Sequence, residues 1–401
     1  MKLISDMSPA PKARETYLPN EIIIHIVSLI AAEDSARRQA TLYKCCLISR
    51  QWYSVAVPFL YERPLLDTGT TFQKFTATVA PPVGVRGSKM KLGSLVRRLD
   101  MSQLVHHSSN SLTARLLGRV KENLEVFIAP MISFSLNCLP SLSKCGNLRH
   151  LDLSLVRDNI PFASLKKAIS HLQKLVSLRL PYSTFLSVDD SAHLSWPPNL
   201  QRLQVSGSFP VHTISSFSWP DRLSSLTLRN CTSLAVDSMS DLISSPQLGR
   251  RLKRLRVSNS NRGLQPESIN VIPAFLPGLT SLSVPGDLVM ETFFDMLRSH
   301  RTPLALEVLE LDAPYTDGAP EFTTETLLDA LNKGLSNLRA IGFHEIYCTD
   351  ERLAEDEDID EALKERAKRR SATAGSESDA EEREDEVVGV YYLTEDRLRL
   401  A

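Results

Sequence analysis

The side chains of this chain best suited to chemistry are arginines. Arg179, Arg202, Arg229, Arg254 and Arg256 each stand beside a leucine in a phrase that recurs along the sequence. A guanidinium presents a planar fork of donors that matches a carboxylate or a phosphate. These positions therefore predict capture of an acidic or phosphorylated protein segment. The competing reading is that solvated arginines merely keep a surface soluble. Constellations for catalysis are not legible. Gly84-Val85-Arg86-Gly87-Ser88-Lys89 has the wrong spacing for a phosphate-binding loop. Neither a G-x-S-x-G elbow nor an H-E-x-x-H pair occurs, and His106-His107 reads as a polar loop pair. Of the six cysteines, Cys45 and Cys46 are adjacent, Cys138 and Cys145 are a loose pair, and Cys231 and Cys348 stand alone. That pattern fits neither a metal site nor a disulfide framework. A non-catalytic protein without metal or cofactor is expected, with reduced thiols and hence a cytoplasmic or nuclear location.

The elements that must position those arginines are repeats. The phrase L-x-x-L-x-L, with conservative replacements, starts at Val96, Leu124, Leu148, Leu175, Leu200, Leu223, Leu252, Leu279, Leu306 and Leu338. Successive starts are 23 to 32 residues apart, the period of leucine-rich repeats. In each copy L-x-L sends two leucines to one face of a short strand, and the copy at Leu223 closes with Cys231. Helices are predicted over 164–172, 238–244 (with Ser238 and Asp241 spaced as a capping box), 287–299 and 323–335. One strand and one helix cannot close a core alone, so the copies must stack into a curved solenoid with strands inside. The fold class is α/β. Alternation puts the x residues on the concave surface: Arg98 and Asp100, Val126 and Ile128, His150 and Asp152, Gln204, the five arginines, then Glu310 and Asp312. With strands about 4.8 Å apart, the five arginines are expected to form one patch.

Ahead of the repeats lies a shorter unit. Leu18-Pro19-Asn20-Glu21 opens a helix with proline near its start, and Ile22, Ile26 and Leu29 follow on one face. A second helix is predicted from about Thr41 to Ala56, ended by Pro58. Some 45 residues of helix bury too little surface to stand firmly alone, and the surplus apolar positions call for a partner. Leu18-Pro19-x-Glu21, the phrase Cys46-Leu47-Ile48-Ser49-Arg50-Gln51-Trp52, and Ala56-Val57-Pro58-Phe59-Leu60-Tyr61 together resemble an F-box, and look like its fungal variety. The link between the two halves, 31–41, is longer than the usual F-box connection. The resemblance implies docking on the Skp-type adaptor of an SCF ubiquitin ligase, and through it on a cullin scaffold. It implies Leu18, Pro19, Ile22, Ile26, Leu47, Ile48 and Trp52 as adaptor-facing or core positions. An F-box followed by leucine-rich repeats is similar to the substrate receptors of such ligases. The alternative is a leucine-rich-repeat scaffold not engaged in ubiquitination.

Charge refines the organisation. The 401 residues carry 46 Lys and Arg against 47 Asp and Glu. Yet residues 349–386 hold 16 acidic and 7 basic side chains, which leaves a mildly basic body and an acidic tail. Balanced overall charge argues against a dedicated nucleic-acid binder. The longest apolar run, 22–32, is interrupted and too short to span a bilayer, and no signal peptide is expected. The reading is a flexible arm over 1–16, an F-box over 17–62, and a linker over 63–95. Repeats occupy 96–348. A mostly disordered acidic segment follows over 349–386, with a transient helix as the alternative over 361–370; Ser376 and Ser378 are placed for phosphorylation and Lys364–Arg370 is a weak nuclear signal. The closing segment, 387–401, is a candidate cap on the last repeat.

Overall fold

The computed structural model describes residues 18–33, 37–82, 91–104, 109–186, 194–208, 217–232, 234–299, 304–316, 318, 320–348, 350–374 and 387–394. The 1–16 arm, the Gly84–Lys89 run, the His106-His107 pair, Ser376 and Ser378 lie outside the described residues. The chain divides into two compact units, residues 1–65 and 66–401.

The first unit is three helices, α1 (Asn20–Ala32), α2 (Arg37–Cys45) and α3 (Arg50–Glu62). Ile23 and Val27 of α1, Leu42 and Cys45 of α2, and Ala56 and Val57 of α3 form its core. The single helix predicted over 41–56 is therefore two. Ser49 breaks it, because its hydroxyl accepts the Trp52 amide at 3.3 Å and starts α3 afresh. Pro58 does not end α3 but lies inside it. Packing of α3 on both α1 and α2 outweighs the one backbone hydrogen bond a proline forfeits.

The second unit opens with α4 (Gly69–Val79), capped reciprocally by Thr68 and Thr71. The expected linker over 63–95 is thus partly structured. Phe72, Phe75 and Val79 of α4 are buried, and a 3-10 turn at Leu92–Leu95 leads into the repeats. The repeats run β1 (Arg98–Asp100), α5 (Asn110–Val120), β2 (Val126–Ile128), α6 (Leu139–Leu142), β3 (His150–Asp152), α7 (Phe162–Ile169) and β4 (Ser177–Arg179). They continue as β5 (Arg202–Gly207), β6 (Ser225–Cys231), α8 (Val236–Ile243), α9 (Pro246–Arg251), β7 (Arg254–Val257), α10 (Pro266–Asn270) and α11 (Ile272–Phe275). They close with β8 (Ser281–Pro285), α12 (Glu291–Ser299), β9 (Val308–Asp312), α13 (Thr324–Lys333), β10 (Ala340–His344), α14 (Asp350–Ala374) and β11 (Gly389–Leu393). All strands form one sheet in sequence order, each parallel to its neighbours. Leu99, Phe127, Leu151, Leu178, Leu203, Leu226, Leu255, Leu282, Leu309 and Ile341 stand in register across it, none more than 2% exposed. This ladder is what the second leucine of each phrase is for, and it makes the unit a leucine-rich-repeat solenoid.

Asparagines stitch the stack. Asn123, Asn147, Asn199 and Asn337 stand just before the first leucine of their phrases. Each donates to a carbonyl of the preceding repeat, Ser94, Glu122, Gln173 and Leu304, at 2.6–2.7 Å. Between β4 and β6 no helix occurs among the described residues. The layer there holds the rings of Trp196, Phe217 and Trp219, packed tilted or edge-on with one another and with Phe162 of α7, centroids 5.0–6.2 Å apart. The capping box expected at Ser238 and Asp241 does not form. Helix α8 begins earlier, after Ala235, so Ser238 lies within it and is buried.

The acidic tail is the main departure from expectation. Residues 350–374, read as disordered on composition, form α14. Ile359 and Leu363, one turn apart, are fully buried. Arg366 donates to the carbonyls of Leu331 in the last turn of α13 and of Ser336 just beyond it, at 2.6 and 2.8 Å. Asp360 accepts the Val390 amide at 2.9 Å and pairs with Lys364 at 2.6 Å. Charge counting missed these few specific contacts. The closing run forms β11, paired residue for residue with β10.

Candidate functional site

In the first unit, α1 is apolar on two sides. Ile23 and Val27 point into the core, while Ile22 (48% exposed) and Leu29 (58%) face out and Ile26 is half-buried between. The turn joining α2 to α3 adds Leu47 (68%) and Ile48 (60%). Gln51 at the start of α3 fixes the entry to α1. Its side-chain amide donates to the Leu18 carbonyl at 2.8 Å and the Asn20 side chain at 2.9 Å, holding exposed Leu18 and Pro19 in place. A folded unit that leaves this many branched aliphatic side chains in water has a surface built to be covered.

On the open face of the sheet, register sorts the arginines into rows. Arg202 and Arg254 occupy the first row, flanking Ser225. Arg179 and Arg256 lie in the next row, beside Gln204 and Thr227. Arg229 stands further along β6. The five are not equivalent. Arg179 pairs with Asp152 at 3.1 Å and Arg256 with Asp312 at 2.5 Å, whereas Arg202, Arg229 and Arg254 have no carboxylate partner among the described residues. The single patch expected from spacing is thus two tethered guanidiniums and three open ones. His150 Nδ1 lies 3.5 Å from Arg202 Nη2. Burial first, then Arg202, Arg149, Arg98 and Arg179, hold the His150 imidazole below its ordinary pKa. Beyond the arginines, Tyr391 lies across Gly342, where a Cβ would come within 2.8 Å of its ring, and donates to Glu310 at 2.8 Å.

Residues 16–67 match the family described as F-box-like. The chain carries an F-box-like domain. The chain is also similar to an F-box protein of Saccharomyces cerevisiae, 30% identical over 281 residues. That match covers 67% of this chain and 57% of the relative, so the chain spans little more than half of that protein. Similarity to the protein pof5 of Schizosaccharomyces pombe is 26% over 282 residues, 70% of this chain and 76% of that one. Among solved structures, a chain of the yeast Rad7 and Elc1 complex is similar at 13% identity with a TM-score of 0.45, over 81% of this chain and 87% of that chain. An internalin from Listeria monocytogenes is similar at 13% identity and a TM-score of 0.28, over 70% and 89%.

The F-box-like domain coincides with α1, α2 and α3. Of its seven residues singled out by resemblance, Leu18, Pro19, Ile22, Leu47 and Ile48 are exposed, and Ile26 and Trp52 are half-buried. Sequence reasoning missed Gln51, whose role needs the start of α1 beside the start of α3. It also missed exposed Ile24, Tyr43 and Tyr53. The run Ile22-Ile23-Ile24 was a readable signal, since three successive apolar residues cannot share one helix face. Both cysteines of the F-box-like domain, Cys45 and Cys46, are buried. Burial raises the Cys45 pKa, and burial and then Cys45 raise that of Cys46. Cys145 and Cys231 in the solenoid are pushed up to about 12 by burial. Among the described residues no three His, Cys, Asp or Glu side chains gather to hold a metal, and no helix is long and apolar enough to cross a membrane.

Proposed function

We propose that this protein is the substrate-recognition subunit of an SCF-type ubiquitin ligase. Its F-box-like domain docks on a Skp-type adaptor, and through it on a cullin. Its solenoid holds the protein to be ubiquitinated. Catalysis belongs to the partners, and this chain contributes binding and placement. The observation carrying the reading is the exposed set Leu18, Ile22, Leu29, Leu47 and Ile48 on a domain whose own core is already filled. Each such side chain contributes about 1.5–3 kcal/mol when fully buried, so a handful covered by an adaptor groove supports a stable complex. The open face of the solenoid supplies the second surface.

Co-purification of the full chain with the adaptor tests the first half, against a chain lacking residues 17–61. Equal recovery of adaptor with both chains sinks the proposal. The second half is tested by protein half-lives after loss of this chain. A target that binds the solenoid but is not stabilised would point to the scaffold reading instead.

A further inference from the structure

Register places Arg98, His150, Arg202 and Arg254 in one row of the open face, on β1, β3, β5 and β7. The intervening strands put Val126, Ser177 and Ser225 in that row, none of them charged. Neighbouring strands lie about 4.8 Å apart, so the basic groups recur every 9.6 Å or so. Arg98 is tied to Asp100 at 3.0 Å. Arg202 and Arg254 are exposed, and neither has a carboxylate partner among the described residues. An extended polyproline-type chain repeats its side-chain direction every third residue, about 9.3 Å along. The two repeats match.

We infer that the row from His150 to Arg254 docks an extended segment of a target protein carrying an anionic side chain at every third residue. This rests on the solenoid face being the target-bearing surface of the proposed receptor. The alternating uncharged positions suit separated anions better than a continuous polyanion. Beside the row, Asp152 and Asp312 tie up Arg179 and Arg256, so the face lacks the unbroken run of open cations that a continuous polyanion would need. A nucleic-acid strand is therefore the disfavoured occupant.

His150 adds proton linkage. The charges acting on it are Arg98 of β1, Arg149 just ahead of β3, Arg179 of β4 and Arg202 of β5, of which Arg98, Arg149 and Arg179 are themselves paired with Asp100, Glu125 and Asp152. Burial first, and then these cations, hold the free imidazole below its ordinary pKa. An arriving anion offsets them, so binding takes up a proton and tightens as pH falls.

The test is fluorescence anisotropy with the full chain and a labelled probe of repeated Glu-Pro-Pro. A control peptide has the same composition with its glutamates in one block. The spaced probe is expected to bind about fivefold or more tightly than the block, and to tighten from about pH 7.5 to 5.5. Arg202→Ala and Arg254→Ala, both at exposed positions, should each weaken it by up to about fivefold. His150→Gln should remove the pH dependence. Replacing glutamate by phosphoserine tells the sources apart: tighter binding assigns a phosphorylated target, weaker binding a carboxylate one, and both support the row. Equal binding of spaced and block peptides overturns the inference, as does tighter binding of single-stranded oligothymidine. A pH-independent affinity for the spaced probe overturns the role of His150. Adaptor co-purification is read on the same variants. If it persists while probe binding falls, the loss belongs to this face. A chain that binds the spaced probe but no adaptor refutes the ligase reading alone.

Discussion

At the end of β5 the backbone of Gly207 has φ +97°, and a Cβ there would land 1.9 Å from the Thr184 carbonyl oxygen. Only glycine lets that carbonyl close in, where it accepts the Ser208 amide at 3.0 Å. Gly207→Ala should cost about 1–3 kcal/mol or more, read as a lowered urea midpoint. Lys166 is a second decisive residue. It is 1% exposed, its ammonium 4.9 Å from the centre of the Trp196 ring, and burial lowers its pKa from 10.5 to about 8. Between those two values the unfolded chain binds the proton more tightly, so stability rises with pH across that window; below about pH 8 the full penalty is present. Lys166→Met should therefore be more stable than the parent at pH 7, by on the order of 1–3 kcal/mol. The gap should close towards pH 10.5, as urea midpoints of both proteins across that range will show. Leu47→Asp with Ile48→Asp changes only exposed side chains. The melting temperature should hold within about a degree or two, since surface substitutions stay near ±0.5 kcal/mol, while adaptor co-purification is lost.

Elements show where local patterns bind and where neighbours overrule them. Helices α7, α12 and α13 fall close to the spans expected from periodicity, because each carries one strong apolar stripe against the stack. The divided helix at Ser49 and the uninterrupted α3 at Pro58 were set by capping and packing, which composition does not display. Helix α14 is the sharpest case. Its sequence is dominated by charge, yet two buried aliphatic residues, an arginine on carbonyls at and just past the end of α13, and Asp360 under β11 are enough to seat it. Hydrogen bonds from Lys364 and the Val390 amide outweigh burial and hold the Asp360 carboxyl below its ordinary pKa. Ile359→Asp should unseat the helix. Limited trypsin digestion should then cut first at the Lys and Arg residues of 364–370, which the parent protein protects longer. Equal cutting of both would contradict a docked α14.

At the scale of the molecule, the leucine ladder is the structure's spine. Leu255 sits near its centre, 1% exposed and in register with Leu226 and Leu282. Leu255→Ala should cost about 2–5 kcal/mol, seen as a large drop in the solenoid's melting temperature. Because the F-box-like domain has its own core, adaptor co-purification should survive below that melting point. Loss of both together would mean that the two units do not fold independently.

The repeat period and the paired phrases at Leu18–Glu21 and Cys46–Trp52 were enough to name the solenoid and the domain before it. Those signals are local: a leucine spacing states its own strand, and a short motif its own helix ends. The face of α1 read as Ile22, Ile26 and Leu29 was also legible, although its outward direction was not. Which arginines are free was decided only in three dimensions, because Asp312 lies 56 residues from Arg256 and reaches it across an intervening strand. The same holds for Gln51 on Leu18, for Lys166 under Trp196 and for the seating of α14. Each depends on which distant residues the stacking of repeats or helices brings together. One chain's periodicity fixes how its segments fold, while the pairing of charges and the covering of surfaces belong to the assembled stack.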